Sequence, residues 1–291
     1  MRVLVGYDGS ECAGAAIDDL QRSGLPREVT AAVVSVGELL LPVPSPSDSA
    51  IIERAVSRRV TAALVQARAE AQAALQGATA LAREGCRRVS VHFPQWRVHA
   101  EPVLGAPAEA LIERAEDWHA DLIVLGSHGR SALGRLVLGS VSKQVAAEAC
   151  CSVRVARHVV DRRCTPPRII IGIGIDGSRS SEAAVRAVAS RAWWGGTEAR
   201  IVAVDRGAVA RAMLAEAANQ LLAARLFVST RVKEGDLQNA LRDEAQAWQA
   251  DGIFIGAHGF DSRIEPTRTA SVAAALVSGA PCPVEIVRAA G

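Results

Sequence analysis

The feature that most constrains this chain is that it says the same thing twice. Val3-Leu4-Val5-Gly6-Tyr7-Asp8-Gly9-Ser10 is an apolar run closing in an Asp-Gly-Ser turn, and Ile171-Gly172-Ile173-Gly174-Ile175-Asp176-Gly177-Ser178 restates it. Asp121 to Gly129 returns as Asp251 to Gly259, and Cys151-Ser152-Val153-Arg154-Val155 returns as Cys282-Pro283-Val284-Glu285-Ile286. A repeat at this scale means two copies of one folding unit in tandem. Short apolar runs read as buried strands and alternate with longer helical patterns in both copies. That alternation implies parallel sheets with right-handed crossovers and helices on both faces.

The fold class is therefore α/β: two tandem open-sheet domains, each a five-stranded parallel sheet. In the first copy strands are predicted near 2–7, 29–36, 98–104, 121–126 and 151–156, with helices near 11–22, 50–84, 107–117 and 140–149. In the second, strands are predicted near 168–175, 198–204, 227–233, 252–257 and 283–288, with helices near 179–192, 207–225, 236–249 and 269–279. The boundary is expected where Asp161-Arg162-Arg163 and Pro166-Pro167 break the apolar pattern. The expected division is a domain over 1–158, a linker over 159–167 and a second domain over 168–291. The first copy is longer in its middle, where it carries Pro42–Ser49, a long Ala/Arg/Gln helix and an extra Cys86–Trp96 segment.

Chemistry concentrates in residues 121–142. Leu122 to Leu125 is a strand, Gly126 ends it, and Gly129 and Gly139 bound a loop that opens a helix at Ser140. Glycines let backbone amides approach an anion, and a helix N-terminus adds unpaired donors and partial positive charge. The arrangement is a candidate phosphate cradle, although turns of α/β proteins are rich in Gly and Ser for structural reasons as well. Tyr7 and Asp8 end the first strand, at the crevice where open parallel sheets bind ligands. Asp8 alone could equally satisfy backbone donors within its own turn.

The spacing Gly-x2-Gly-x9-Gly-Ser over Gly126, Gly129, Gly139 and Ser140 resembles the ATP-binding signature of the universal stress protein family, and with the Asp-Gly-Ser opening the resemblance spans nearly the whole chain. It implies a Rossmann-like fold of the adenine nucleotide α-hydrolase type and ATP, with or without Mg2+, as ligand. It places Asp8 and the backbone of Val36 at the adenine end and Gly126 against the ribose. Amides around Gly129 and at Gly139, Ser140 and Val141 are expected on the phosphates, with the hydroxyls of Ser140 and Ser142 and the charge of Arg130. His128, matched by His258, either touches the ligand or caps the loop, and Arg135 is expected in solvent. Family members pair through their fifth strands, so Val153–Val155 and Val284–Val287 are expected to join edge to edge as an intramolecular pseudo-dimer. A further homodimer and an unidentified protein partner stay open.

The second copy departs from the signature. Position 139 corresponds to Ala270 or Thr269, Asp261 and Glu265 add negative charge, and Pro266 stiffens the loop. The second domain is expected to be structural. Function is expected to be nucleotide-responsive stress signalling rather than catalysis, with a slow ATPase or a nucleotide-free scaffold as alternatives. No Gly-Lys-Ser/Thr of a P-loop and no Gly-x-Ser-x-Gly elbow occurs, and catalytic residues are not assigned. A net charge of +2 without a basic stripe argues against nucleic acid. No run approaches the roughly 20 apolar residues of a membrane span, and the first residues read as a strand rather than a leader, so a cytoplasmic location is expected. The cysteines at 12, 86, 150, 151, 164 and 282 show no metal-binding spacing.

Overall fold

A computed structural model describes residues 1–38, 55–129, 138–157, 165–173, 179–204, 208–257 and 268–289. The expected linker over 159–167, the segment Pro42–Ser49, the turn Gly174–Ser178 and the predicted helix start near residue 50 lie wholly or partly outside them. Strands of the first half are β1 (Arg2–Gly6), β2 (Thr30–Gly37), β3 (Arg97–Leu104), β4 (Leu122–Gly126) and β5 (Ser152–Ala156). Its helices are α1 (Glu11–Asp19), α2 (Ala55–His92), α3 (Pro107–Asp117) and α4 (Ser140–Glu148). The second half supplies β6 (Arg168–Ile173), β7 (Glu198–Ala203), β8 (Phe227–Val232), β9 (Gly252–Gly256) and β10 (Val284–Val287). Its helices are α5 (Arg179–Ala189), α6 (Ala208–Ala223), α7 (Leu237–Trp248) and α8 (Arg268–Gly279).

Each half is a parallel sheet, in the order β3-β2-β1-β4-β5 and its counterpart β10-β9-β6-β7-β8, and the two are continuous. β5 and β10 pair antiparallel, with Val155 opposite Val284, Arg154 opposite Glu285 and Val153 opposite Ile286. The junction covers one exposed edge from each half, which would otherwise offer unpaired backbone groups. Reciprocal contacts reinforce it. Arg157, just after β5, donates to the carbonyls of Val277 (2.8 Å) and Ser278 in the last turns of α8. Its counterpart Arg288, just after β10, donates to Cys151 O (2.9 Å) and to Ala146 O (2.7 Å) in the last turn of α4. A guanidinium at a helix C-terminus satisfies orphan carbonyls and complements the helix dipole.

The core follows from strands that are apolar on both faces. On one face a single core crosses the junction, joining Leu4, Ile123 and Val153 to Ile170, Leu241, Val277 and Ile286 beneath α3, α4, α7 and α8. The other face carries two separate cores. Val3, Val5, Ile17 and Val33 form one beneath α1 and α2, and Ile171, Val188, Ile201 and Leu221 form the other beneath α5 and α6. Ser10 caps α1 by accepting the amide of Ala13 at 3.1 Å.

One predicted boundary is corrected. The long helix does not end near Glu84 but continues to His92, absorbing most of the Cys86–Trp96 segment. Gly85 reads as a stop signal, yet a Cβ there would lie 2.7 Å from Val33 Cγ1 and 2.9 Å from the Tyr7 ring. The glycine lets the helix lie close on the sheet, and the chain turns only at Pro94.

Candidate functional site

The strand order reverses between β1 and β4, and a cavity of about 460 Å³ opens at their carboxyl ends. Such switch points are where open α/β sheets bind ligands, and the volume lies within the roughly 300–1,000 Å³ of ligand pockets. Tyr7, Asp8, Val36, Gly126, His128, Gly129, Gly139, Ser140, Val141 and Ser142 all line it. Arg130 and Arg135 lie outside the described residues.

The cavity has two chemically distinct ends. Val34 and Val36 from β2, Pro107 and Leu111 from α3, and Leu125 from β4 make an apolar wall. Opposite them the N-terminus of α4 meets the loop that follows β4. Gly139 is the N-cap and gives no side-chain cap, so the amides of Ser140, Val141 and Ser142 have no acceptor within the helix. The amide of Gly139 itself donates to Ser127 O at 2.8 Å, which closes the loop instead of facing a ligand. The Ser142 hydroxyl donates to Gly126 O at 2.7 Å, tying the helix to the strand end.

Gly126 and Gly139 have different physical roles. A Cβ on Gly126 would sit 2.5 Å from the Cys12 carbonyl carbon and 2.7 Å from the Ala13 amide, so this glycine admits the backbone of α1 against β4. Gly256 has the same role, since its Cβ would lie 2.2 Å from Ser180 O. Packing thus retains this glycine in both halves. Gly139 has an ordinary extended backbone (φ −62°), and its Cβ would occupy the space 3.4–3.7 Å from Ser127 O, His128 Cα and the Gly129 amide. The absent side chain leaves room over the loop amides, as a bound polyphosphate would need.

Around this cradle the side chains are held by their neighbours. Asp8 Oδ1 accepts the Ser10 amide at 3.0 Å, and the Ser10 hydroxyl donates to His128 O at 3.4 Å, joining the two loops. The Ser127 hydroxyl and His128 Nδ1 are 2.9 Å apart, while His128 Nε2 is buried without a hydrogen-bond partner. Burial, with the positive charge of Arg157 nearby, lowers the pKa of His128 and favours a neutral ring. Tyr7 donates to Glu84 Oε1 of α2 at 3.2 Å. Burial first, then the Glu84 charge, raises the pKa of its phenol. Among the described residues no group of three His, Cys, Asp or Glu could hold a metal, and no helix is long and apolar enough to cross a membrane.

Sequence reasoning missed the apolar wall of α3 and also Glu38, which lines the cavity just past β2. The signal for α3 was available: a helix predicted from 107, directly after the third strand, must begin on the same rim. A second cavity, about 540 Å³, lies where Trp96 of the first half approaches Trp193 and Trp194 of the second. It contains none of the sequence-predicted site residues.

The universal stress protein family model matches residues 1–157 and 196–288. The chain is a member of the universal stress protein family. Its two matched regions make it a tandem member. A universal stress protein of Thermus aquaticus is 34% identical over 155 residues, covering 53% of this chain and 97% of that protein. A universal stress protein of Mycobacterium tuberculosis is 30% identical over 188 residues, covering 62% of this chain and 56% of that one. The match to a universal stress protein of Methanocaldococcus jannaschii, 38% identical, covers 26% of this chain and only 45% of that protein. The chain thus spans about half the length of some of its relatives. In fold it is similar to the crystal structure of a universal stress protein from Archaeoglobus fulgidus, with a TM-score of 0.65 at 20% identity, over 99% of this chain and 98% of that one.

Proposed function

We propose that this universal stress protein binds one ATP per chain in the amino-terminal cavity and acts as a nucleotide-responsive signalling protein. The reading rests on one observation: an uncapped helix N-terminus and an apolar wall face each other across a single cavity, with Gly139 leaving the space between them clear. Amides of Ser140, Val141 and Ser142, with those around Gly129, suit the phosphates. Val36, Pro107 and Leu111 suit the adenine, with Asp8 at the same end, and Gly126 suits the ribose. The neutral His128, with its free Nε2, supplies a polar contact. Any magnesium would be held chiefly by the phosphates. Of the second-half residues that replace the cradle, Asp261 and Glu265 lie outside the described residues, and Ala270 falls in the first turn of α8. Their lost glycine and added charge support a structural role for that half, within two domains over 1–158 and 168–291.

In this reading the protein acts in the cytoplasm. Bound ATP sets the shape of the loop after β4, and a protein partner recognises that shape. The test is to denature purified protein by heat, identify any released nucleotide, and follow phosphate release from added ATP over hours. Retained ATP with negligible turnover supports the reading. Steady turnover makes the protein an ATPase, and an absence of bound nucleotide and of measurable affinity leaves it a scaffold.

A further inference from the structure

The seam between β5 and β10 is built around four buried charges. Arg154 on β5 makes a two-pronged contact with Asp19 at the end of α1, Nε to Oδ2 at 2.6 Å and Nη2 to Oδ1 at 3.0 Å. Its Nη1 reaches Glu285 Oε2 on β10 at 3.3 Å, and the other oxygen of Glu285 is held by Arg191. The side chains of Asp19, Arg154 and Glu285 are each 1% exposed and that of Arg191 7%. Across the junction the charges therefore alternate: Asp19, Arg154, Glu285, Arg191.

The register gives this row a consequence. Val153, Arg154 and Val155 are the repeat counterparts of Val284, Glu285 and Ile286, and pairing sets Arg154 opposite Glu285 with Val155 and Val153 opposite Val284 and Ile286. Arg154 and Glu285 therefore occupy the pseudo-two-fold axis. In an isologous contact the residue on the axis meets its own copy. Two first halves joined by β5 would set Arg154 against Arg154, giving the order minus, plus, plus, minus. Two second halves joined by β10 would set Glu285 against Glu285. Each places like charges side by side in a buried site where they interact strongly, and each loses the central hydrogen bond.

We propose that Arg154 and Glu285 encode partner choice at this edge, so that the β5 edge accepts a β10 edge and rejects its own kind. Juxtaposed like charges act against the wrong partner, which is how many interfaces obtain specificity. The apolar neighbours Val153, Val155, Val284 and Ile286 make the edge sticky and do not discriminate. The axial pair supplies the discrimination and keeps copies of this chain from joining through these strands.

The test uses full-length chains with reversed charges. Glu285→Arg gives a chain whose two edges are both positive, and Arg154→Glu gives one whose edges are both negative. Each variant alone is expected to lose its junction, shown by a lowered melting temperature or by precipitation. Mixed in equal amounts and refolded together from urea, they are expected to yield a soluble two-chain species. It is read as a doubled mass by light scattering, with one native Arg154–Glu285 junction. Neither variant refolded with the natural chain should give that species. The proposal is overturned if either variant alone melts as the natural chain does. It is overturned equally if a single variant forms the same two-chain species by itself, or if the mixture yields none.

Discussion

Two glycines of one loop signature should fail in opposite ways when each is changed to alanine. At Gly126 the new methyl would lie 2.5 Å from the Cys12 carbonyl carbon and 2.7 Å from the Ala13 amide, whereas carbon atoms rest at about 3.5–4.0 Å. The obstacle is helix backbone, so α1 must shift by about an ångström. Overpacking of this kind costs about 1–3 kcal/mol, offset by about 0.4–1 kcal/mol from the stiffer unfolded chain. Gly126→Ala should therefore lower stability by about 1–2 kcal/mol. At Gly139 the nearest contact would be 3.4 Å and the backbone suits any residue, so Gly139→Ala should change stability by less than about 0.5 kcal/mol. That methyl would, however, lie 3.7 Å from the Gly129 amide, in the space assigned to phosphate. Losing one charge-assisted hydrogen bond, about 1.5–3 kcal/mol, weakens ATP binding roughly tenfold to a hundredfold. Urea denaturation measures the first effect and isothermal titration the second. Natural affinity for ATP in Gly139→Ala, or natural stability in Gly126→Ala, would refute the division of roles.

Further outcomes follow from the same geometry. Gly256→Ala should destabilise the chain as Gly126→Ala does, because the methyl would lie 2.2 Å from Ser180 O; equilibrium unfolding reads this directly. Arg154→Met leaves Asp19 and Glu285 buried without their shared cation and should cost about 3–5 kcal/mol in urea denaturation. The native His128 ring binds its proton less readily than an unfolded histidine, whose pKa is about 6.5. The unfolded chain therefore takes up the proton first, so this residue's contribution to stability falls as pH drops below about 6.5. Unfolding free energies at pH 7.5 and 5.5 should show that component, and His128→Gln should remove it. Burial pushes the thiols of Cys151 and Cys282 up to about 12, so a maleimide at pH 8 should spare both in the native protein and label them after unfolding.

The fold was legible because its information is local. Apolar runs such as Leu122–Leu125 and Ile169–Ile171, buried on both faces, announce parallel strands, and the repeat fixes their order twice. The α2 boundary was not legible, because Gly85 carries a helix-stop signal whose real cause is a contact with Val33 and Tyr7, far away in sequence. At the site, the polar end lies within one contiguous loop and helix, so residues 126–142 disclosed it. The apolar end is assembled from β2, α3 and β4: the start of a helix at 107 directly after the third strand puts Pro107 on this rim, but no local pattern sets Leu111 and Val36 side by side. The seam was the least legible part. Arg154 and Glu285 could be aligned as repeat counterparts, but Asp19 and Arg191 join them only through folding.

The function proposed for this protein depends on the cavity between β1, β4 and α4 receiving a triphosphate. A crystal of the full chain soaked with ATP and magnesium tests it most directly. One nucleotide per chain is expected, with phosphate oxygens on the amides of Ser140 and Val141 and the base against Val36 and Pro107. A cavity closed by its own side chains, or nucleotide bound only in the second half, would contradict it.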